Sequence, residues 1–254
     1  MHFGSPTSGS WRTWQKSPSN AKLRSPATTG RHGLGTPCPP RHHPHSAFCF
    51  NSNTMRYAII GTGHVGQALA KAFARQGIEV AFASRRSPEA LTPVAKAIGP
   101  TIIPHSLPDA LQADVVLLAM PFKAYQEVAQ ATESWPGKTV IDVTNAYGIS
   151  SEELGNRPSS VVLAEALPGA NLVKAFNHLP AAVLAEDPRA NGMRRVLFLS
   201  GDEASAIATV ATLVTRLGFV PINLGKLAEG GLLVQARGNS WGPLIFQDLF
   251  QQAK

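Results

Sequence analysis

The stretch that most constrains the fold runs from Met55 to Gly66 and reads M-R-Y-A-I-I-G-T-G-H-V-G. Its β-prone residues lead into Gly61, Gly63 and Gly66, spaced as G-x-G-x-x-G, and a helix-patterned run from Gln67 to Arg75 follows. A strand, three glycines at this spacing and a helix are typical of the turn that binds the pyrophosphate of a dinucleotide. Gly61 permits the tight turn, Gly63 lets the backbone approach the phosphates, and Gly66 lets the helix lie close to the strand. The phosphates then meet unpaired N–H groups at the positive end of the helix.

The end of the second predicted strand indicates which dinucleotide is bound. In NAD-binding proteins an Asp or Glu at this position binds the ribose hydroxyls, whereas arginine accommodates the 2′-phosphate of NADP. Here the strand from Glu79 to Ala83 is followed by Ser84, Arg85 and Arg86. Ser84 can donate to the phosphate, Arg85 can pair with it bidentately, and Arg86 can add charge or stack on the adenine. The sequence therefore predicts a preference for NADP(H), which the nearby Glu89 would partly offset.

Short apolar strands and amphipathic helices alternate from Met55 onward, and this alternation predicts a parallel, doubly wound sheet. We therefore expect the α/β class: a doubly wound, mostly parallel Rossmann-type sheet flanked by helices, in a single domain. After Leu224 the chain is rich in glycine, which predicts a mobile flap that ends in a short helix from Pro243 to Gln252. The predicted strands are 56–60, 79–84, 101–103, 115–120, 139–144, 172–176, 195–200 and 219–224, and the predicted helices are 67–76, 89–98, 106–112, 123–134, 159–167, 180–185 and 203–216.

Residues 1–54 differ in composition from the rest of the chain. They contain six of the 23 Lys and Arg, none of the 16 Asp and Glu, five of the eight His and both Cys. With few large apolar residues, such a segment buries too little surface to become ordered. We expect a disordered basic leader over 1–54 and an NADP-binding oxidoreductase domain over 55–254.

Three explanations of the leader remain open. It is basic, rich in Ser and free of acids, as in a transit peptide. It has a Cys and His cluster, as in a metal-binding tail. Alternatively, it is an extension read from upstream of the true start, with Met55 as the natural first residue. We favour the third explanation, because the first strand begins one residue after Met55 and the cluster matches no standard zinc spacing. The cluster comprises Cys38, His42, His43, His45 and Cys49.

Charge and hydropathy exclude several classes of function. The 17 basic and 16 acidic residues of 55–254 make this part of the chain nearly neutral, so a basic surface for nucleic acid is not expected. The longest apolar run, Val115 to Phe122, is far shorter than the roughly 20 residues that a membrane span needs. No cysteine follows Cys49, so neither disulfides nor thiol chemistry are expected in the domain. We expect a cytoplasmic protein without a metal site.

Five motifs together resemble the F-420-dependent NADP oxidoreductase family. They are I-I-G-T-G-H-V-G, A-S-R-R, L-A-M-P-F, V-K-A-F-N-H-L-P-A and L-A-E-G-G, and the likeness extends from Met55 to the C-terminus. The domain is also similar to the cytosolic part of mammalian six-transmembrane metalloreductases and to the N-terminal domain of pyrroline-5-carboxylate reductases. The resemblance implies hydride transfer between NADPH and a deazaflavin (coenzyme F-420) or a flavin, FMN or FAD. Homodimers are common in that family, and a set of apolar residues near the flap is suited either to a dimer contact or to covering the acceptor: Leu232, Leu233, Trp241, Leu244 and Phe246.

The resemblance further implies roles for individual residues. Residues Thr62, Gly63, His64 and Val65 would hold the pyrophosphate, and Ser84 and Arg85 the 2′-phosphate. Met120 and Pro121 would border the nicotinamide, the run from Asn177 to Ala181 would line the crevice where it meets the acceptor, and Leu232 would cover it. The archaeal type of that family carries a lysine where this chain has Glu89, which predicts weaker binding of the 2′-phosphate.

Position along the predicted sheet gives a partly independent list of site residues. In open α/β sheets ligands bind beyond the carboxyl ends of the strands, where this chain delivers Met120, Pro121, Thr144, Asn145, Asn177 and His178. Mostly neutral side chains suit a site that stacks two flat rings for hydride transfer. Asn145 and Asn177 are candidates to orient the carboxamide, and His178 to protonate a ring nitrogen.

Two other functions remain open. One is reduction of a small imine or ketone, as in pyrroline-5-carboxylate reductases, although those enzymes continue into a long helical domain that this chain lacks, and Lys174 falls in a predicted strand. The other is a non-catalytic NADPH-binding sensor, because no residue of the crevice has chemistry that compels catalysis.

Overall fold

The computed structural model describes residues 55–132, 135–236 and 250–252. The strands in this part of the chain are β1 Tyr57–Ile60, β2 Val80–Ala83, β3 Ile102–Pro104, β4 Val115–Leu118, β5 Thr139–Asp142, β6 Asn171–Ala175, β7 Arg189–Ala190, β8 Met193–Gly201, β9 Val220–Asn223 and β10 Phe250–Gln252. The α-helices are α1 His64–Arg75, α2 Pro88–Ile98, α3 Leu107–Ala110, α4 Tyr125–Gln130, α5 Ser159–Glu165, α6 Ala181–Ala185, α7 Ala204–Arg216 and α8 Gly230–Val234, and a 3-10 turn spans Phe122–Ala124.

Six neighbouring strands form a parallel sheet in the order β3-β2-β1-β4-β5-β6. This is the strand order of dinucleotide-binding folds, in which the order of the strands reverses between β1 and β4 and a crevice opens there. The glycine turn follows β1 and therefore lies beside the carboxyl end of the parallel neighbour β4. The predicted fold class, a doubly wound and mostly parallel Rossmann-type sheet, is confirmed.

Beyond β6 the sheet changes direction. Strand β8 runs antiparallel to β6, with Lys174 opposite Ser200, and β9 then pairs parallel with β8. Two short strands, β7 and β10, pair antiparallel with the first residues of β8. The alternating pattern of strands and helices predicted most strands but gave no sign of this reversal.

Each face of the sheet is covered by helices. Ile59 and Leu117 point into a core with α1, α2 and α7, whereas the intervening residues Ala58, Ile60 and Val116 point into a second core with α3, α4 and α5. Because successive side chains of a strand alternate between faces, strands that are covered on both sides have continuous apolar sequences.

The C-terminal prediction was partly wrong. Residues 250–252 form β10 and not the end of a helix, because their backbone pairs with β8, while residues 243–249 of the predicted helix lie outside the described residues. Within the predicted flap, Gly230–Val234 forms the short helix α8, in which Gly230, Gly231 and Val234 are buried. The described part of that segment is therefore packed on the sheet.

Residues 1–54, including the cluster of Cys and His, lie outside the described residues, so the domain division at Met55 stays a prediction. Among the helices that the structure describes, none has both the length and the apolar character needed to cross a membrane.

Candidate functional site

The glycine turn joins β1 to α1, and its three glycines meet different surroundings. Gly61 has φ 116°, in the left-handed region, and a Cβ built on it would lie 2.6 Å from the carbonyl carbon of Ala119. A Cβ on Gly66 would lie 2.8 Å from the carbonyl carbon of Gly61 and closer still to its oxygen. A Cβ on Gly63 would meet no atom of the described residues within 4 Å. Gly61 and Gly66 are therefore required by close packing within the protein, whereas Gly63 borders open space.

The start of α1 is suited to bind an anion. Gly63 is the N-cap and offers no side chain to the free N–H groups, and the first turn of the helix contains no acid. The turn is braced by Gln67, whose side-chain amide donates to the carbonyl oxygen of Thr62 over 3.0 Å. Unpaired N–H groups and the positive helix end together favour a phosphate at this position. Sequence reasoning missed Gln67, because a polar residue in a helix has many ordinary uses.

The corner after β2 carries two guanidinium groups. Arg86 donates from Nη2 to Thr62 Oγ1 over 2.8 Å, and its backbone N–H donates to Ser84 Oγ over 3.2 Å. Arg85 Nε lies 3.6 Å from Glu127 Oε2 on α4, and both side chains are at least half exposed. Glu127 is thus the carboxylate that the structure pairs with Arg85, a partner that the sequence did not reveal.

Glu89, by contrast, lies in the first turn of α2. A hydrogen bond with Ser87 and the local backbone lower the pKa of the Glu89 carboxyl. Its charge is directed to its own helix start, where an acid is favourable.

A cavity of about 300 Å³ connects the glycine turn to the arginine corner. It brings together eight of the predicted site residues: Gly61, Thr62, Gly63, Ser84, Arg85, Arg86, Met120 and Pro121. Leu107, Ala124 and Val128 add an apolar wall beside Glu127, which the sequence prediction did not include. One end of the cavity is therefore cationic and apolar, as an adenosine phosphate requires, and the other end borders the carboxyl end of β4.

Asn145 and Asn177 lie at the carboxyl ends of the neighbouring strands β5 and β6, where they bind each other. Asn145 Nδ2 donates to the carbonyl oxygen of Asn177 over 2.8 Å, and Asn177 Nδ2 donates to Asn145 Oδ1 over 3.1 Å. Asn177 Nδ2 also donates to the carbonyl oxygen of Val234 over 2.7 Å, and the N–H of Ala236 donates to Asn145 Oδ1 over 3.2 Å. The pair therefore ties the segments after β5, β6 and α8 together. Asn177 Oδ1 remains a buried acceptor without a donor in the described structure.

The residue before Asn177 explains its orientation. Phe176 has φ 65°, which is rare outside glycine, and such strain persists only where the surroundings enforce it. The ring is fully buried and packs edge-on against Phe219, with ring centroids 6.3 Å apart. The packing of Phe176 thereby turns the chain sharply after β6.

His178 lies behind this turn. Its ring packs against Phe198 with centroids 5.1 Å apart, and neither ring nitrogen has a partner of good hydrogen-bond geometry among the residues that the structure describes. Burial lowers the pKa of His178 to about 4, and a weak contact with the backbone of Val196 raises it only partly. The imidazole is therefore neutral at pH 7 and does not line the cavity described above. Its role as a proton donor stays a prediction that this environment disfavours.

The remaining predicted residues are His64, Val65, Ala181 and Leu232. His64 and Val65 begin α1, and His64 is exposed. Ala181 begins α6, which packs against α1. Leu232 lies on α8 with its side chain partly buried, within the segment that Asn145 and Asn177 anchor.

A buried charged cluster lies on β5 and β6, the strands that precede Asn145 and Asn177, and the sequence did not predict it. Asp142 and Lys174 face each other across β5 and β6, both with no exposed side-chain surface, and Lys174 Nζ lies 2.9 Å from Asp142 Oδ2. Burial works against the Asp142 carboxylate, but the charge of Lys174 and hydrogen bonds from Ser160 and Thr144 outweigh it and lower the pKa of Asp142. The sequence prediction placed Lys174 in a strand but could not identify a partner 32 residues away.

The residues present fit a dinucleotide that carries a 2′-phosphate. The N–H groups of α1 face open space beside Gly63, two guanidiniums border the same cavity, and Asn177 Oδ1 is a buried acceptor that lacks a donor. Among the described residues no group of three or more His, Cys, Asp or Glu side chains is arranged to hold a metal ion.

Comparison with known proteins agrees with this geometry. A family model described as NADP oxidoreductase, coenzyme F420-dependent, matches residues 56–146. The structure is similar to that of the hypothetical protein SMa0349 from Sinorhizobium meliloti, with 40% identity and a TM-score of 0.74 over 80% of this chain and 98% of that protein. It is also similar to a candidate F420-dependent NADP-reductase from Arthrobacter sp. FB24, with 25% identity and a TM-score of 0.56 over 68% of this chain and 86% of that protein.

A curated relative is much longer than this chain. Metalloreductase STEAP3 of Rattus norvegicus is 28% identical over 175 residues, which are 68% of this chain and 34% of the rat protein. The chain thus spans about a third of that relative's length.

Proposed function

Because the chain belongs to the family of coenzyme F420-dependent NADP oxidoreductases, we propose that it transfers a hydride between NADPH and a flat-ring acceptor. The acceptor is a deazaflavin such as coenzyme F-420, or a flavin. The observation that carries the proposal is the cavity that joins the glycine turn to Ser84, Arg85 and Arg86. The contributions of the individual residues follow from their positions around it.

The arginine corner binds the 2′-phosphate. Arg85 is exposed and, within the described part of the chain, its ion pair is with Glu127, so its guanidinium can turn toward a phosphate and pair with it bidentately. Ser84 adds a hydroxyl donor. Leu107, Ala124 and Val128 supply the apolar wall against which the adenine packs.

The glycine turn binds the pyrophosphate. Backbone N–H groups at the start of α1 donate to the phosphate oxygens, and Gly63 leaves the space that a Cβ would occupy. Arg86 donates a hydrogen bond to Thr62, so binding of the 2′-phosphate at the arginine corner and binding of the pyrophosphate at the glycine turn reinforce each other.

The segments after β4, β5 and β6 receive the nicotinamide. Met120 and Pro121 form its apolar border, and Asn145 and Asn177 orient the carboxamide, with Asn177 Oδ1 as the acceptor that still lacks a donor. When bound, NADPH supplies the hydride. The protein's part is to align two rings and exclude water, for which neutral side chains suffice.

The proposal is tested by binding and turnover with the same purified protein. Calorimetry should show NADPH binding at least about a hundredfold more tightly than NADH, since charged hydrogen bonds to the 2′-phosphate are worth about 1.5–3 kcal/mol each. Oxidation of NADPH should then be followed with a deazaflavin, with FMN, with FAD and with pyrroline-5-carboxylate.

Each outcome has a distinct meaning. Turnover with a deazaflavin or flavin supports the proposal and identifies the acceptor. Turnover with the cyclic imine alone assigns the chain to imine reduction, and tight NADPH binding without turnover of any acceptor assigns it to sensing. Equal affinity for NADH and NADPH would refute the assignment of the arginine corner.

A further inference from the structure

The buried charges of Asp142 and Lys174 need an explanation beyond stability. Removing an ion pair completely from water is costly, and apolar side chains of similar size are often as stabilising in its place. Both side chains here are fully buried at the carboxyl edge of the sheet, directly opposite each other on β5 and β6. A pair at such a position is better explained by what it holds in place.

The pair holds the backbone of one residue, Thr144. Asp142 Oδ1 accepts from the N–H of Thr144 over 2.9 Å and from its hydroxyl over 2.7 Å. Lys174 Nζ donates to the carbonyl oxygen of the same residue over 3.0 Å. Ser160 Oγ, from α5, donates to the other carboxylate oxygen over 2.6 Å. Both peptide groups that flank the Cα of Thr144 are therefore fixed by the buried pair.

The next residue along the chain is Asn145. Fixing the carbonyl group of Thr144 fixes the peptide plane from which Asn145 projects. Its side chain then meets Asn177 and the N–H of Ala236. A shift of the Thr144 peptide group by about 1 Å would break these hydrogen bonds, because a hydrogen bond is lost when donor and acceptor are more than about 3.5 Å apart.

The helix α8 covers this arrangement. A Cβ built on Gly231 would lie 3.8 Å from Lys174 Cδ and 3.7 Å from Ser200 Cβ, so α8 packs directly on β6, which carries Lys174, and on the neighbouring strand β8. The end of α8 is tied down twice more, by Asn177 to the carbonyl oxygen of Val234 and by Ser159, whose N–H donates to Gln235 Oε1 over 2.9 Å. The pair is thus covered by three segments of the chain, those that follow β5, β6 and α8.

We propose that Asp142 and Lys174 are positioning residues, which lock Thr144 so that Asn145 and Asn177 are held ready for the nicotinamide half of the nucleotide. This role deepens the proposed function and rests on it. The arginine corner and the glycine turn have no direct contact with the pair among the described residues, since their contacts involve β1, β2, α1, α4 and the end of β4.

The test separates the two halves of the nucleotide. Replacing both charges, Asp142→Leu with Lys174→Met, avoids leaving one charge buried without its partner. Affinity for NADPH should fall about tenfold or more, while affinity for adenosine 2′,5′-bisphosphate, which lacks the nicotinamide, should change by less than about twofold. Leu213→Ala on α7 is the matched control: it destabilises the core away from the pair and should leave the ratio of the two affinities unchanged.

Coupling to Asn145 is the second readout. Asn145→Ala alone should reproduce the loss of NADPH affinity, and combining it with the double replacement should add little, because both changes remove the same contact. Losses that multiply would show that the pair acts independently of Asn145 and would overturn the proposal. So would equal losses for NADPH and the bisphosphate.

A third readout does not need any nucleotide. The N–H of Ala236 is bonded to Asn145 Oδ1, so its hydrogen exchange reports where Asn145 points. The double replacement should accelerate this exchange and Leu213→Ala should not. An unchanged exchange rate in the double variant would refute the positioning role. Equal affinity of the unaltered protein for NADH and NADPH would instead refute the proposed function and leave the exchange result unaffected. Should the double variant fail to fold, Ser160→Ala removes one bond to Asp142 and must show the same direction of change in each measurement.

Discussion

The contrast between Gly66 and Gly63 gives the sharpest prediction about the nucleotide turn. In Gly66→Ala the new Cβ would lie 2.8 Å from the carbonyl carbon of Gly61 and closer to its oxygen, below the 3.0 Å that real Cβ atoms observe. Both obstacles are backbone atoms, so α1 would have to move away from the turn by about 1 Å. Overpacking of this kind costs about 1–3 kcal/mol and occasionally more, and here we expect about 3 kcal/mol, because α1 is also packed into the core through Leu69 and Phe73.

Gly63→Ala is the matched control, since the same added methyl group meets no described atom within 4 Å and the backbone, at φ −78°, suits alanine. Its loss of stability should not exceed about 1 kcal/mol, the cost of a poorer N-cap. Its affinity for NADPH should nevertheless fall by about tenfold or more, because the methyl group would occupy the space offered to the pyrophosphate. Urea unfolding and calorimetric titration of both variants decide the matter. A stable Gly66→Ala protein, or a Gly63→Ala protein that binds NADPH normally, would refute this account of the turn.

Three further changes test the charges around the site. Arg85→Ala should weaken NADPH binding by about tenfold in calorimetry and leave NADH binding unchanged, since it removes a charged hydrogen bond to the 2′-phosphate; equal weakening of both would contradict this. Glu127→Gln should instead tighten NADPH binding by about two- to fivefold, because an exposed ion pair that competes for Arg85 is worth about 0.2–1 kcal/mol; weaker binding would mean that Glu127 contacts the adenine. His178 has a pKa of about 4 against 6.5 unfolded, so the unfolded chain takes up its proton first and stability is lost as pH falls from about 6.5 to 4, by about 3 kcal/mol. In urea unfolding at several pH values His178→Leu should flatten this loss, and an unchanged slope would place the titration elsewhere.

The nucleotide half of the site could be predicted because its signals are local. Gly61, Gly63 and Gly66 lie within six residues of each other, and Ser84 and Arg85 follow the next strand, so spacing alone brings them together once the strand order is assumed. The structure places all but Gly66 of these five around one cavity. Helix α1 nevertheless begins at His64, three residues before the predicted start at Gln67, and His64 itself is exposed.

In the other half Asn145 and Asn177 could be named from their positions after the strands, but their contacts could not be predicted, because those contacts join residues that are far apart in the chain. Asn145 and Asn177 are 32 residues apart, and Val234 is 57 residues beyond Asn177. Nothing in the run V-K-A-F-N-H announces that Lys174 is paired or that Phe176 adopts a left-handed backbone. The same limit applies to the reversal at β8, which depends on pairing with β6 and not on the composition of either strand.

The two halves of the site treat charge in opposite ways, and the chemistry explains the difference. In the proposed function the 2′-phosphate meets positive charge that water can reach, and Arg85 and Arg86 are both exposed. At the nicotinamide end, loss of a hydride leaves the ring with a positive charge, so an uncompensated cation nearby would disfavour the oxidised form by a Coulomb term that low polarity strengthens. Lys174 carries a positive charge, but its ion pair with Asp142 leaves the two residues with no net charge. The pair still keeps the hydrogen bond from Lys174 to Thr144. Replacing Asp142 alone would therefore be expected to do more than loosen Asn145, since it would also leave the charge of Lys174 buried without its partner.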